Sequence, residues 1–252
     1  MTDLAGRTAL VTGGGSGLGA AIADALSRAG ADLVVVGRRR DALDAVVDRL
    51  PGPARALVCD VADERSVARL SEDLAATEVS ILVNNAGIAG PVAALTDIGV
   101  DDWDEVFAVN VRGIFLMCRA FLPAMVARGA GDVINLASVS GKRPLAHRTP
   151  YTASKMAVLG LTATLAFEVG PAGVSVNTLS PGPVDGERMS RNFRREAERS
   201  GGTAAEAEAA FVSRAALGRM VTEAEVGAAV VAMLAMPGMC GADVDLSAGM
   251  IA

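Results

Sequence analysis

Histidine is almost missing from this chain. His147 is the only one. That excludes any histidine-based triad not built on this single residue, and any metal site made of several histidines. It stands in the polar segment KRPLAHRTP, where a surface loop is expected. Cysteine is also sparse. Cys59, Cys118 and Cys240 lie far apart and form no C-x-x-C pair, so neither a disulfide framework nor a zinc site is indicated. All three are expected as buried free thiols, and no metal is expected. No apolar run approaches the length of a membrane span. The start, MTDLAGRTALVTGG, enters a strand at once with no basic or signal-like segment, which makes a cytoplasmic location the expectation. The net charge of −6 leaves no basis for a nucleic-acid or anionic-membrane partner.

What is present is aliphatic. Hydrophobic residues make up 51% and charged residues 21%, and 252 residues suit one α/β domain better than two. Seven short runs, TALVT, ADLVVVG, ARALVCD, SILVNN, GDVINLAS, GVSVNTLS and ADVDLS, read as buried parallel strands. Helical segments begin between them near Gly17, Asp41, Asp63, Asp101, Tyr151 and Thr222. This alternation predicts a Rossmann-like, doubly wound α/β fold: a single domain with a seven-stranded parallel sheet and helices on both faces. One stretch, 183–218, is polar, glycine-punctuated and too long for an ordinary connection. It follows a strand whose carboxyl end faces the ligand crevice, so a flexible lid is expected there. Its arginines, Arg188, Arg191, Arg194, Arg195 and Arg199, are better explained as a solvated helix face. Glu187 with Arg191 and Arg194 with Glu198 have i,i+4 spacing.

Between the first strand and the first helix stands VTGGGSGLGAAIADAL, with Gly13, Gly17 and Gly19 in the pattern T-G-x-x-x-G-x-G. Glycines there permit a tight turn and close approach of backbone N–H groups to a phosphate. The helix N-terminus then faces a pyrophosphate, which makes this a dinucleotide site. An acidic residue about 20 positions on would bind the ribose diol of NAD. Instead Arg38 and Arg39 end the second strand, and guanidinium groups suit a 2′-phosphate. NADP(H) is therefore preferred, with NAD(H) possible because arginine also stacks on adenine.

Ser138, Tyr151 and Lys155 occupy SVSGKRPLAHRTPYTASK. Tyrosine and lysine four apart share one helix face. A phenol ordinarily ionises near pH ~10, and working near neutrality requires lowering that by roughly 3, about 4 kcal/mol. An ammonium ~4 Å away supplies about that much at an effective dielectric of ~20. With the serine hydroxyl on the same reacting oxygen, the three move a proton to or from an oxygen becoming alcohol or carbonyl. Tyr151 is the only tyrosine, and Lys155 is one of two lysines in a chain that otherwise uses arginine.

These motifs together resemble the short-chain dehydrogenase/reductase family over essentially the whole chain. TGGGSGLG, CDV, NNAG, Asn110 in VNVRG, Ser138 in NLASVSG, YTASK and NTLSPGPV appear in the family's order. The resemblance implies catalytic roles for Asn110, Ser138, Tyr151 and Lys155, with Asn110 helping to hold a water between Lys155 and solvent. It implies cofactor contacts from Gly13, Gly15, Ser16, Gly17, Leu18 and Gly19, and from Asp60, Val61, Asn84, Ala86 and Gly87. Tyr151, Lys155, Pro181, Gly182 and Val184 complete that set, beside Arg38 and Arg39. It further implies a homotetramer acting on a small carbonyl or alcohol, with an NAD-dependent polyol dehydrogenase or a non-redox cofactor-binding regulator as alternatives. The chain departs from the family pattern at Gly186, where a threonine is frequent, and in its C-terminal DLSAGMIA. Low aromatic content predicts a pocket of aliphatic side chains and methionine, Met189 among them. Lys142, Arg143 and Arg148 form a weak basic patch for a carrier-protein substrate.

Overall fold

Alternation within each strand decides which face of the sheet each side chain covers. The computed structural model describes residues 3–143 and 145–250. The strands are β1 (Thr8–Thr12), β2 (Asp32–Gly37), β3 (Ala54–Val58), β4 (Val79–Asn84), β5 (Gly131–Leu136), β6 (Val174–Pro181) and β7 (Asp243–Leu246). They form one sheet in the order β3-β2-β1-β4-β5-β6-β7, every pair parallel. Ala9, Val11, Leu33, Val35, Ile81 and Val83 enter one core, whereas Leu10, Val34, Val36, Leu82 and Val133 enter the other. The expected strands are met within one or two residues at each end, as is usual for frayed element boundaries.

The first core is closed by α1 (Gly17–Arg28), α2 (Arg40–Val47) and α9 (Glu223–Leu234), through Ile22, Leu26, Leu43, Val46, Val226 and Val230. The second is closed by α3 (Glu64–Asp73), α5 (Gly113–Arg128) and α6 (Thr149–Val169), through Val67, Leu70, Met117, Phe121 and Val158. Each such side chain fully buried contributes about 1.5–3 kcal/mol, which is why helices with little intrinsic end-capping still form. Asp63 caps α3 by accepting from Arg65 N, and Thr222 with Glu225 forms a capping box on α9.

The stretch Val100–Arg128 is long and apolar enough to cross a membrane by composition, and half of its most apolar window is buried in the fold. Its helicity is not uniform. α4 (Val100–Phe107) passes through a π-helical turn at Ala108–Arg112 before α5 begins. Such turns re-aim one side chain inward, and here it is Asn110, fully buried.

The stretch 183–218, where a flexible lid with a solvated helix face is expected, holds two helices, α7 (Glu187–Ser200) and α8 (Ala204–Val212). Phe193 meets Phe211 edge-on at 5.5 Å, and Met189 and Met220 complete a small separate core. Met189 is thus committed to packing between these helices. A parallel bridge between Val184 and Val221 closes the excursion at its base. Arg194 and Glu198 are both exposed and form no ion pair with each other. The side chains of Glu187, Arg188, Arg195 and Arg199 lie outside the described residues.

Cys59 and Cys118 are buried free thiols, but Cys240 is exposed, contrary to expectation. It sits in the glycine-flanked connection before β7, at the surface beside the last turns of α6, where its thiol reaches the Ala166 carbonyl at 3.9 Å.

Candidate active site

Strand order reverses between β1 and β4, which opens a crevice at the carboxyl ends of the strands. The glycine loop fills its floor. Gly13 has φ +66, and a Cβ on Gly19 would stand 2.1 Å from the Gly13 carbonyl oxygen, so the first turn of α1 can approach the loop only without a side chain there. The loop is stapled to the end of β4. Asn85 Nδ2 donates to Thr12 O at 2.9 Å, and the Asn85 and Ala86 N–H groups donate to Thr12 Oγ1, each at 3.0 Å. Ser16 at the N-cap makes no side-chain cap bond, and the first turn of α1 carries no acidic residue. The positive end of the helix is left for an anion.

Above the loop lies a cleft of about 440 Å³. Gly13, Gly15, Ser16, Gly17, Leu18 and Gly19 line it, together with Arg38, Arg39, Asp60, Val61, Ala86, Gly87 and Val184. Arg38 and Arg39 are exposed and form no hydrogen bond or ion pair with any described residue, unlike Arg40, which holds Asp44 at 2.8 Å. A backbone-lined cradle, an open helix N-terminus and two uncommitted guanidinium groups fit a phosphorylated dinucleotide.

Five expected cofactor residues do not line this cleft: Asn84, Tyr151, Lys155, Pro181 and Gly182. Asn84 is turned inward, where its Nδ2 donates to Asn135 Oδ1 at 2.9 Å, and Asn135 Nδ2 continues to Thr162 Oγ1. A side chain at a strand's last residue alternates faces with its neighbour, so Asn85 rather than Asn84 reaches the cleft. Pro181 is buried at the end of β6, and Gly182 packs on Ser247, 2.8 Å from where its Cβ would be. Residues not anticipated also line the cleft: Gly37, Ala42, Ile88, Val109 and, at the mouth, Gly186 and Glu223. No local pattern marks them, because they come from five separate segments that only the sheet order brings together.

The four residues expected to handle the proton, Asn110, Ser138, Tyr151 and Lys155, lie outside the lining of the cleft. Lys155 is 5% exposed and donates to the Leu136 carbonyl at 2.7 Å, while its Nζ lies 5.8 Å from the centroid of the Tyr151 ring. Gly87 connects this group to the cleft. A Cβ there would be 3.2 Å from Asn110 Oδ1 and 3.6 Å from Lys155 Nζ. Asn110 Nδ2 donates to Ile88 O and Ser154 Oγ, and its Oδ1 accepts from Ile88 N at 2.8 Å. Ser154 Oγ in turn donates to the Tyr151 carbonyl at 2.8 Å. The buried amide thereby ties the chain after β4 to the first turns of α6. Ser138 Oγ accepts from Ser140 N at 3.1 Å and is 8% exposed. His147 sits in an exposed turn, as expected.

Charges around this group are settled differently. Burial disfavours the Lys142 ammonium, but hydrogen bonds and charge from Asp243 and Asp245 outweigh it, so its pKa stands above the ordinary lysine value. Arg143 donates to Met250 O and Arg148 to Ala89 O, so the basic patch is tied to the fold. Burial pushes the Cys118 thiol up to about 12 and raises that of Cys59, which keeps both protonated.

Residues 7–198 match the model of the short chain dehydrogenase family. Galactitol 2-dehydrogenase (L-tagatose-forming) of Cereibacter sphaeroides is 47% identical over 188 residues, covering 72% of this chain and 72% of that protein. A variant of actinorhodin polyketide ketoreductase solved with NADPH superposes with a TM-score of 0.92 at 29% identity, covering 97% of each chain. NAD+-bound xylitol dehydrogenase does so with 0.90 at 28% identity, covering 98% of this chain and 99% of the other. This chain belongs to the short-chain dehydrogenase/reductase family and is an oxidoreductase acting on CH–OH groups.

Proposed function

We propose that the protein interconverts secondary alcohols of small polyols and the corresponding ketones, with NADP(H) as the preferred cofactor. The observation that carries the reading is Lys155, a nearly buried ammonium fixed on the Leu136 carbonyl between the cleft and the only tyrosine. Bound in the cleft, a nicotinamide cofactor supplies hydride transfer. The chain's residues manage the proton. Tyr151 gives it to the oxygen in reduction and takes it in oxidation, with Lys155 favouring the phenolate. Ser138 orients the substrate oxygen. Asn110 is a positioning residue that holds the Ile88 segment and α6 in register.

Arg38 and Arg39 support the choice of NADP(H), since neither has another partner among the described residues and no carboxylate stands at the end of β2. Polyols are supported by the named relatives and by the tied-down basic patch, which argues against an acidic carrier protein as substrate carrier. The helical pair α7–α8 serves as the substrate lid. Exposed Phe115, Met156 and Phe167 on α5 and α6 support self-association, taken here as a homotetramer in the cytoplasm.

Initial rates across a panel of sugar alcohols, ketoses and simple ketones, followed at the reduced-nicotinamide absorbance, test this. Turnover of polyols or ketoses with NADP(H) is expected. No turnover with either cofactor across the panel, despite cofactor binding, would favour a regulator.

A further inference from the structure

Two glutamates open α9, and they have opposite fates. Glu225 is fully engaged: it completes the capping box with Thr222 and pairs with Arg219 at 2.7 Å, which holds its pKa down at about 2. Glu223, two residues earlier, forms no hydrogen bond or ion pair with any described residue. It is half-buried and lines the cofactor cleft. Its Oε1 lies 3.6 Å from where a Cβ on Gly17 would be, and 3.2 Å from the same point on Gly186.

Gly17 opens α1, so this carboxylate stands beside the helix end and loop that would hold a pyrophosphate. Gly186 is one of the two places at which the sequence departs from the family pattern. A threonine there would crowd the Glu223 carboxylate; glycine leaves it room. A carboxylate facing a phosphate site without a cation between them opposes the ligand, and a low-dielectric cleft strengthens that opposition.

We propose that Glu223 is an affinity-limiting residue of the cofactor cleft, a like charge that weakens the hold on the phosphate bridge of the dinucleotide and thereby speeds its release. The inference rests on the proposed cofactor reading and adds a residue that works against binding. It lines the same cleft as Arg38 and Arg39, which therefore carries both attractive and repulsive charge toward a phosphorylated ligand. Binding strength is then set by their difference.

Dissociation constants for NADP+ and for adenosine 2′-monophosphate, measured by calorimetry on the full chain, test it. The fragment carries the 2′-phosphate and lacks the phosphate bridge. Glu223→Gln should bind NADP+ about fivefold tighter than the native protein and Glu223→Lys tighter still, with fragment affinity unchanged. The gain should shrink in ~1 M salt, where the Debye length falls to about 3 Å. A role confined to packing would not produce that salt dependence. Equal or weaker NADP+ binding by both variants, with native melting temperatures, would overturn the inference while leaving the cofactor reading intact. Failure of the native protein to bind NADP+ at all would remove both.

Discussion

The two ends of the sheet treat charge in opposite ways. At the amino end, Arg7, just before β1, reaches across to Asp132 at the start of β5, 2.6 Å away, and also donates to Ser80 O at 2.9 Å. Ser175 at the start of β6 donates to the other Asp132 oxygen. Four neighbouring strands are thus tied by one satisfied network. At the carboxyl end, Arg38, Arg39 and Glu223 line a cleft with no partner among the described residues. Leaving three charges unpaired contributes nothing to folding that pairing would not exceed. Charges that serve the fold are matched within it, and those kept for a ligand are not.

Three substitutions sharpen that contrast. The largest effect belongs to the carboxyl end: Tyr151→Phe should lower kcat by about 10³-fold or more while leaving the melting temperature and cofactor affinity near native. Substantial residual turnover would remove the phenol from the mechanism. At the amino end the pattern should invert. Arg7→Ala leaves Asp132 half-buried with only Ser175, and chemical denaturation should show a loss of about 2 kcal/mol with kcat and cofactor affinity unchanged. A change in cofactor affinity there would mean the two ends are coupled.

Lys142 tests a smaller effect at the edge strand. Lys142→Met should cost about 1 kcal/mol, since the side chain is 28% exposed and its two partners remain solvated. The sign of its pH dependence is fixed by the raised pKa. The contribution is fully present below the ordinary lysine value of 10.5 and is lost as pH rises through the higher folded value. The stability gap between native and variant proteins should therefore be flat from neutrality to about pH 10 and close above it. A gap that already closes between neutrality and about pH 9 would contradict the assignment.

The strands and the sheet-facing helices were legible because period-2 and period-3.6 patterns report burial directly. The glycine loop and the Tyr151–Lys155 pair were legible because each is local, within a single turn or helix. What escaped the sequence depends on contacts between distant segments. The π turn that points Asn110 inward carries no composition signal. Asn84 and Asn85 are indistinguishable in NNAG until strand register assigns their faces. Glu223 reads as one more acidic first-turn residue beside its capping neighbour Glu225, and only the packing of α9 against α1 sets it opposite Gly17. In 183–218 glycines and charges outnumber apolar residues, so the packing of Met189 and Phe193 with Phe211 and Met220 shows only once α7 and α8 are brought together.

The most direct test is the pair of dissociation constants for NADPH and NADH, measured by fluorescence titration at ~0.1 M salt on the native protein and on Arg38→Ala/Arg39→Ala. The unpaired arginines predict NADPH binding about tenfold or more tighter than NADH in the native protein, with the difference largely abolished in the double variant. Equal affinities, or tighter binding of NADH by the native protein, would contradict the account of charges held in reserve at the carboxyl end.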